Sequence, residues 1–281
     1  MKKIALITNI LLATLSLVFL YGCNPKSTSG VAQESTFEKI KKAKTIKVGY
    51  IIYPPMVTKN PNTGKLNGHF IATIKDIADQ AGWKLKFIET DWSGFAAGLN
   101  SRRFDLSIAP TFTTIPRLTK VSFTQPLIYA GNSAIVRAND KRFTQITDFN
   151  NKEVTLAVTQ GEAGHEYALA NLPEAKLIVH PGSNQSLAFQ DVLAGRADAA
   201  LGDAYITAQF VLKHKDKLTD LFAENPYNLT PVSWAIGYGD NDLLAFLNNA
   251  IAVLSIQGKL RQYEKEAGAN WIHAKTIWIT D

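Results

Sequence analysis

Two charged side chains, Arg117 and Asp203, follow stretches of sequence with the pattern of β-strands. Arg117 comes eight residues after Ala109, the predicted end of one strand, and Asp203 comes just after the predicted strand 197–201. A guanidinium offers a planar fork of donors that fits a carboxylate. Ligands of open α/β sheets bind beyond the carboxyl ends of strands, so both residues are candidates for ligand binding. The alternatives are a surface arginine at a helix start and an N-cap aspartate for a helix that begins at Ala204.

Motifs of the common enzyme and nucleotide-binding classes are absent from the sequence. It contains no G-x-G-x-x-G, Walker or G-x-S-x-G motif and no H-E-x-x-H metal motif. The single cysteine, Cys23, excludes a disulfide within the chain and a multi-cysteine metal site. The five histidines are scattered without the spacing of metal ligands: His69, His165, His180, His214 and His273. We therefore expect no catalytic residues, no metal site and no cofactor.

The composition is that of a folded protein with a solvated, mildly basic surface. Of the 281 residues, 46% are hydrophobic, which argues against disorder, and the length suits one large domain or two of ordinary size. The 30 Lys and Arg residues outnumber the 24 Asp and Glu residues, for a net charge of +6. Basic residues form no run longer than two, so we expect no nucleic-acid partner.

The N-terminal segment has the features of an export signal. Lys2 and Lys3 precede an apolar run, residues 4–20, and Gly22 and Cys23 follow it closely. A basic start, an apolar stretch and then small residues are typical of a signal peptide. A cysteine directly after a small residue here resembles the bacterial lipobox, in which the chain is cut before the cysteine and the cysteine is acylated. The alternative is an ordinary signal peptide with an incidental cysteine.

These features predict a signal peptide over residues 1–22, a lipid anchor on Cys23 and a flexible tether over residues 23–34. The tether is rich in Ser, Thr, Gly, Pro and Asn and shows no periodicity. Several acyl chains bind a membrane firmly, whereas one alone is marginal. We expect an exported protein, lipid-anchored to a bacterial membrane on its periplasmic or cell-surface side.

The rest of the chain alternates short strands with amphipathic helices. A capping box at Ser35 and Glu38 predicts a first helix that ends near Ala43. Two successive α/β patterns follow, which predicts parallel sheets with helices on their faces. The predicted strands are 46–50, 85–87, 104–109, 154–158, 176–180, 197–201 and 232–238. The predicted helices are 71–81, 95–99, 162–171, 186–194, 204–213 and a long segment around 243–254.

Six blocks of sequence, in order along the chain, carry a resemblance to a known family. They are Thr45-Ile46-Lys47-Val48-Gly49, Tyr53-Pro54-Pro55-Met56, Asp91-Trp92-Ser93-Gly94 with Phe104-Asp105-Leu106-Ser107-Ile108-Ala109, Pro116-Arg117 with Phe123-Thr124-Gln125-Pro126, Val158-Thr159-Gln160-Gly161, and Gly195-Arg196-Ala197-Asp198-Ala199 up to Asp203. Together they resemble the periplasmic amino-acid-binding proteins of ABC importers, the extracellular solute-binding family for polar amino acids. The similarity covers about residues 37–268, and six blocks in the right order make it specific.

The resemblance implies an α/β fold of the periplasmic-binding-protein type. Two α/β lobes are joined by a two-strand hinge and close on a ligand in the cleft between them. Lobe 1 is then discontinuous, with residues 35–131 and 237–281, and lobe 2 covers residues 132–236. The chain is expected to cross between the lobes near residues 132–136 and 232–236. The resemblance also implies a monomer that binds an amino acid or a similar small molecule and delivers it to an ABC permease.

The family's ligand-binding positions match five residues of this chain. The resemblance implies that Arg117 holds the ligand α-carboxylate and that Asp203 accepts its α-ammonium. Tyr53 and Trp92 match positions where family members place aromatic rings around the ligand side chain. Gly161 opens a helix whose free N–H groups are suited to meet the carboxylate. The alternatives are ordinary core packing for Trp92 and a simple turn glycine for Gly161.

Three of the residues that depart from the family pattern are candidates for the pocket. Phe112 stands where a small hydroxyl is common, and Pro110 stands where Gly or Ser is common. Glu162 replaces the usual Thr after Gly161. Phe112 and Pro110 add apolar wall beside Tyr53, so we expect a ligand with an apolar or aromatic side chain.

Three functions are consistent with these residues. The first is a ligand-capturing lipoprotein of an ABC importer, without turnover. The second is a cyclohexadienyl dehydratase, which aromatises prephenate or arogenate and needs a general acid in the cleft. Related enzymes resemble this chain around Asp203 but carry a glutamate about three residues later, where this chain has Ile206 and Thr207, so Glu162 is the one obvious substitute. The third is a free-standing ligand sensor.

Lipidation of Cys23 gives the first testable prediction. Cys23→Ser is expected to leave an unprocessed or unlipidated precursor, because the sulfur that carries the acyl group is gone. Mass spectrometry of the mature wild-type protein should show an acylated N-terminal cysteine. A free thiol without acyl mass would contradict the anchor.

Overall fold

The structure is a computed structural model that describes residues 34–268. The predicted signal peptide, the anchor at Cys23 and almost all of the predicted tether lie outside the described residues. Residues 269–281, the predicted end of lobe 1, lie outside them as well.

Helices and strands alternate along the described chain, as the periodicity predicts. The helices are α1 (Thr36–Ala43), α2 (His69–Ala81), α3 (Phe95–Asn100), α4 (Ile115–Leu118), α5 (Ala163–Asn171), α6 (Ser186–Leu193), α7 (Ala204–Leu212), α8 (Asn241–Ile256) and α9 (Lys259–Glu266). The strands are β1 (Thr45–Tyr50), β2 (Thr58–Lys59), β3 (Leu66–Asn67), β4 (Lys84–Glu89), β5 (Leu106–Phe112), β6 (Ser122–Phe123), β7 (Ile128–Arg137), β8 (Thr155–Thr159), β9 (Lys176–His180), β10 (Ala199–Asp203), β11 (Leu218–Asp220) and β12 (Tyr227–Ile236).

One ten-stranded sheet joins two parallel halves. Its main path runs β4-β1-β5-β12-β7-β10-β8-β9, with β6 beside β12 and β11 beside β7. The first half contains β4, β1 and β5, which pair in parallel. The second half contains β10, β8 and β9, which also pair in parallel. The strands β12 and β7 lie antiparallel between the halves, and this is the two-part α/β architecture that the sequence predicts.

The two connecting strands change partners part of the way along. In β7, residues 128–132 pair with β12, and residues from Asn132 onward pair with β10. In β12, residues 227–232 pair with β7, and residues from Val232 onward pair with β5. The link between the halves is therefore at 128–132 and 227–232, slightly earlier in the chain than the expected crossings. The lobe limits at 131/132 and 236/237 stay predictions.

Each half has its own hydrophobic core. In the first half, Phe70 of α2 and Trp234 of β12 are fully buried, with ring centroids 5.7 Å apart at 84°. Leu243 and Leu247 of α8 belong to the same cluster, so this helix packs against the first half. In the second half, neighbouring strand residues belong to separate clusters on opposite sheet faces, with Phe149 in one cluster and Phe189 in the other.

The differences from the predicted strand limits that bear on the site are in three strands. The strand predicted to end at Ala109 continues to Phe112, because its end keeps pairing with β12 through Thr111–Ser233. Pro110, which lacks an N–H, lies where the register with β12 shifts. The strand predicted at 197–201 is β10, whose last residue is Asp203. The strand predicted at 232–238 begins earlier, at Tyr227, because its first residues pair with β7.

Among residues 34–268, no single helix is long and apolar enough to cross a membrane. By length and composition alone, α8 and α9 pass this test as a pair, with a 77° bend between them. The same residues contain no group of three or more potential metal ligands.

Candidate ligand-binding site

Residues from both halves of the sheet meet in one cleft. From the first half come Tyr53 after β1, Trp92 after β4, Pro110 and Phe112 in β5, and Arg117 in α4. From the second half come Gly161 and Glu162, between β8 and α5, and Asp203 at the end of β10. Six of these eight predicted residues, together with Ala163, line a cavity of about 10 Å³: Tyr53, Trp92, Pro110, Phe112, Arg117 and Glu162.

Arg117 connects the two halves through its guanidinium. Its Nη1 donates to the carbonyl oxygen of Phe112 at 3.0 Å, within the first half. Its Nη2 donates to the carbonyl oxygen of Gly161 at 2.8 Å, and its Nε donates to Oε1 of Glu166 at 3.1 Å, both in the second half. The residue is only 3% exposed, so the alternative of a surface arginine is wrong.

Asp203 is both a cleft residue and a helix cap. Its Oδ1 accepts hydrogen bonds from the backbone N–H groups of Tyr205, at 2.8 Å, and Ile206, at 3.2 Å, so the predicted N-cap role is confirmed. The residue is 1% exposed. Burial raises the pKa of its carboxyl to about 6, against the lowering effect of the two N–H groups.

Glu162 lies in the cavity as a second buried carboxyl. It caps α5 through a hydrogen bond in which Gly164 N donates to Oε2 at 2.8 Å. Burial raises the pKa of Glu162 to about 7, and the charge of Asp203 adds to this effect. The hydrogen bond from Gly164 and the charge of Arg117 act in the opposite direction. At neutral pH, Glu162 is therefore close to half protonated.

The two predicted aromatic residues form one wall of the cavity. The rings of Tyr53 and Trp92 pack edge to face, with centroids 5.8 Å apart at 88°. Both rings belong to the core cluster of the first half. Trp92 therefore packs in the core, as the alternative has it, and also lines the cavity. Burial and the charges of Asp203 and Glu162 raise the pKa of Tyr53 well above its usual value.

Gly161 allows the backbones of the two halves to come close together. Its φ of +75° is in the left-handed region. A Cβ at this position would lie 2.9 Å from Ser93 N and 2.9 Å from the carbonyl carbon of Trp92. The N–H of Gly161 itself is not free, because it donates to Nδ1 of His165 at 3.1 Å, and a contact between this helix start and a ligand carboxylate stays a prediction. Its carbonyl oxygen instead accepts a hydrogen bond from Arg117.

Two further residues of the cleft are not among the predicted ones. Glu166 pairs with Arg117, and its position four residues after Glu162 places it on the same helix face, a signal that was present in the sequence. Gln185 accepts from Asp203 N at 3.1 Å through its Oε1, and its Nε2 lies 3.5 Å from the hydroxyl of Tyr53. No sequence pattern points to Gln185, since it lies at the start of α6 far along the chain.

A wider groove lies beside the cavity and shares Tyr53 with it. The groove has a volume of about 560 Å³ and lies between residues 52–55 of the first half and residues 183–186 and α7 of the second. The cleft between the halves thus has a tight, charged part around Arg117 and an open, largely apolar part.

The sequence of this two-part α/β protein matches a known family. The chain belongs to the bacterial extracellular solute-binding proteins of family 3, whose family model matches residues 46–269. This confirms the class that the sequence motifs indicate.

Individual relatives carry amino-acid-binding names. A probable amino-acid ABC transporter-binding protein of Haemophilus influenzae is 28% identical over 82% of this chain and 86% of its own. The L-cystine-binding protein TcyJ of Escherichia coli K12 is 27% identical over 96% of this chain and 99% of its own. The crystal structure of the ancestral amino acid-binding protein AncCDT-1, a precursor of cyclohexadienyl dehydratase, is 29% identical with a TM-score of 0.71, and covers 83% of this chain and 98% of its own.

The raised pKa of Glu162 predicts a pH-dependent stability. The folded protein holds this proton up to a higher pH than the unfolded chain does, so the free energy of unfolding falls as pH rises from about 5 to 8. The glutamine of Glu162→Gln cannot titrate. From pH 5 to pH 8, the free energy of unfolding should therefore fall by roughly 2 kcal/mol more in the wild type than in the variant. Urea unfolding at both pH values measures the difference. Equal losses in the two proteins would contradict the burial of a titrating Glu162.

Proposed function

We propose that the protein is the substrate-binding lipoprotein of an ABC importer. It captures an amino acid or a related small carboxylate between its two halves and delivers it to a membrane permease. The observation that carries the proposal is the burial of Arg117 and Asp203 on opposite halves of one cleft. Membership of the solute-binding family and the transporter-binding name of a relative support it.

The two charged residues suit the two ends of an amino acid. The guanidinium of Arg117 binds a carboxylate, which takes the place of one of its present acceptors, Glu166 or the carbonyl of Gly161. Asp203, which lies beside Tyr53 rather than in the lining of the cavity, accepts from the ammonium. In this buried setting an ammonium without a partner would be costly, so Asp203 contributes to selectivity as well as to affinity.

Ligand entry requires the halves to separate. A cavity of about 10 Å³ holds at most about one water molecule, far less than an amino acid. The linking segments 128–132 and 227–232 are the positions for a hinge, since they join the halves through two strands only. Opening there breaks the contacts of Arg117 with Gly161 and Glu166 and exposes the binding residues to solvent.

Export and anchoring complete the proposal. The name of the family describes extracellular proteins, which supports an exported location. The lipid anchor at Cys23, the permease partner and the monomeric state are inferred from the sequence features given above. No cofactor takes part in this function.

Glu162 favours one enzymatic alternative, a cyclohexadienyl dehydratase. A buried carboxyl with a pKa near 7 has the property that a general acid needs at neutral pH. Against this, the position three residues after Asp203 is Ile206, and α7 offers no acidic side chain there. We infer that the protein binds without turnover. A free-standing ligand sensor, the third function considered, uses the same binding step.

A ligand screen tests the binding function. The purified protein is mixed with each of the twenty amino acids, L-cystine, prephenate and L-arogenate, and its thermal unfolding is followed. At one common ligand concentration, an amino acid with an apolar or aromatic side chain should stabilise the protein most. When that concentration is 100 times its Kd, the stabilisation is about 2.7 kcal/mol. Prephenate and arogenate should stay intact. Phenylpyruvate or phenylalanine formed by the wild type and lost in Glu162→Gln would establish the enzyme instead, and tightest binding of arginine or glutamate would contradict the apolar pocket.

Substitution of Arg117 tests the carboxylate contact. Arg117→Ala is expected to weaken binding of the best ligand by about 2–5 kcal/mol, because the ligand carboxylate loses its buried charged partner. Asp203→Asn should weaken it as well, while asparagine keeps the N-cap of α7. Arg103→Ala, at an exposed arginine, is the matched control and should bind as the wild type does. Unchanged affinity by calorimetry in either cleft variant would remove that residue from the site.

A further inference from the structure

The charges in the cleft do not balance. Three carboxyls lie there, those of Glu162, Glu166 and Asp203, against the one guanidinium of Arg117. Glu166 is the carboxyl that pairs with Arg117, at 3.1 Å, and among the described residues no cation lies within 4 Å of a Glu162 carboxylate oxygen. Glu166 is also the most exposed of the three, with 35% of its side chain in contact with solvent, whereas Glu162 and Asp203 are almost fully buried.

We propose that Glu162 works as a neutral, proton-carrying hydrogen-bond donor in the ligand site when the bound amino acid has no positive side chain. The ligand part of this proposal rests on the function proposed above. The protonation of Glu162 does not, since it concerns the protein alone.

The surroundings of Glu162 favour the neutral acid. Its neighbours around the cavity are the apolar faces of Phe112, Pro110 and Ala163 and the rings of Tyr53 and Trp92. A buried charge is costly unless it is paired, and the cation that shares this cavity, Arg117, already has a carboxylate partner.

All titratable groups that face Glu162 are consistent with this state. Asp203, at the end of β10, repels a negative charge on Glu162. Tyr53, after β1, and Tyr227, in β12, have no charge at neutral pH. On its own helix, His165 is bound to Gly161 N through Nδ1, which requires that nitrogen to be unprotonated, so the ring is neutral there. A negative charge on Glu162 is attracted by the backbone N–H groups of Gly164 and Ala163 and by the charge of Arg117, and burial outweighs these effects.

The bound ligand leads to the same charge count. A neutral amino acid brings one carboxylate for Arg117 and one ammonium for Asp203, so these four groups balance. Glu166 is then left to the solvent, to which 35% of its side chain is exposed. An ionised Glu162 would add an unpaired buried charge, whereas the protonated acid adds an O–H donor that can reach a ligand oxygen. A ligand with a second positive charge would instead pair with an ionised Glu162 and expel the proton.

Glu162 is held in place independently of its proton. Its Oε2 accepts from Gly164 N at 2.8 Å, and a protonated acid keeps one carbonyl oxygen for this bond. Glutamine has the shape of the protonated acid and also offers one carbonyl oxygen and a donor. Glu162→Gln is therefore a mimic of the proposed state that leaves the cap of α5 in place.

An infrared titration of the protein without ligand tests the protonation directly. The carbonyl band of an undissociated carboxyl should be present in the wild type at pH 6 and disappear with a midpoint of about 7. The part of this band that comes from Glu162 should be absent in Glu162→Gln at every pH, whereas the carboxyl of Asp203, with a pKa of about 6, still contributes at pH 6. A wild-type spectrum in which Glu162→Gln removes no undissociated carboxyl at pH 6 would overturn the proposal, whatever ligand the protein binds.

Two variants test the charge count that leads to this inference. Glu166→Gln removes the partner of Arg117, so the guanidinium is free to attract Glu162, and the midpoint should move to lower pH. Asp203→Asn removes the repelling carboxylate and should move it in the same direction. Midpoints that stay unchanged in both variants would contradict an effect of these neighbours on Glu162.

The pH dependence of amino-acid binding tests the donor role. L-Phenylalanine should bind the wild type roughly 30-fold more weakly at pH 8.5 than at pH 6, in proportion to the protonated fraction of a group with a pKa near 7. In Glu162→Gln the two affinities should differ by less than about twofold. An affinity of the wild type for L-phenylalanine that stays the same from pH 6 to pH 8.5 would overturn the neutral-donor role. Failure of every amino acid to bind would instead contradict the proposed function and leave the infrared result to decide the protonation.

Discussion

The buried guanidinium of Arg117 is the contact on which the arrangement of the cleft depends. It donates to Phe112 in its own half and to Gly161 and Glu166 in the other half, so a single side chain connects the halves of the sheet. A buried cation that loses its partners is costly, which means that each arrangement of the halves must supply acceptors to this residue. Two of those acceptors are backbone carbonyls, whose positions are fixed by the end of β5 and by the turn before α5. The geometry of the cleft therefore depends on backbone that the sheet holds in place.

The alternation of strands and helices could be predicted because it depends on local patterns. Asp203 was a good candidate for the same reason, since an aspartate between a strand and a helix suits both a cap and a ligand at a strand end. Arg117 was selected through its surrounding motif rather than through its own position. The eight candidate residues lie together in the structure, and their role in ligand binding remains a prediction.

Contacts between distant segments explain what the sequence did not reveal. The strand expected to end at Ala109 extends to Phe112 because β12, more than a hundred residues later, continues the pairing. Gln185 bonds to the backbone of Asp203 and contacts Tyr53 only after the two halves come together. The protonation of Glu162 depends in the same way on neighbours from β10 and α4. Local periodicity carries no information about such pairings.

Gly161 has a consequence for how far the two halves can approach each other. Only a hydrogen atom on its α-carbon separates the backbone of the β8–α5 turn from the backbone of Trp92 and Ser93. Even one methyl group there would lie 2.9 Å from backbone atoms of these two residues. The size of the residue at this position thus sets a lower limit on the width of the cleft. A lineage in which position 161 acquired a side chain would have a wider cleft and would accommodate larger molecules, without any change in the residues that contact them.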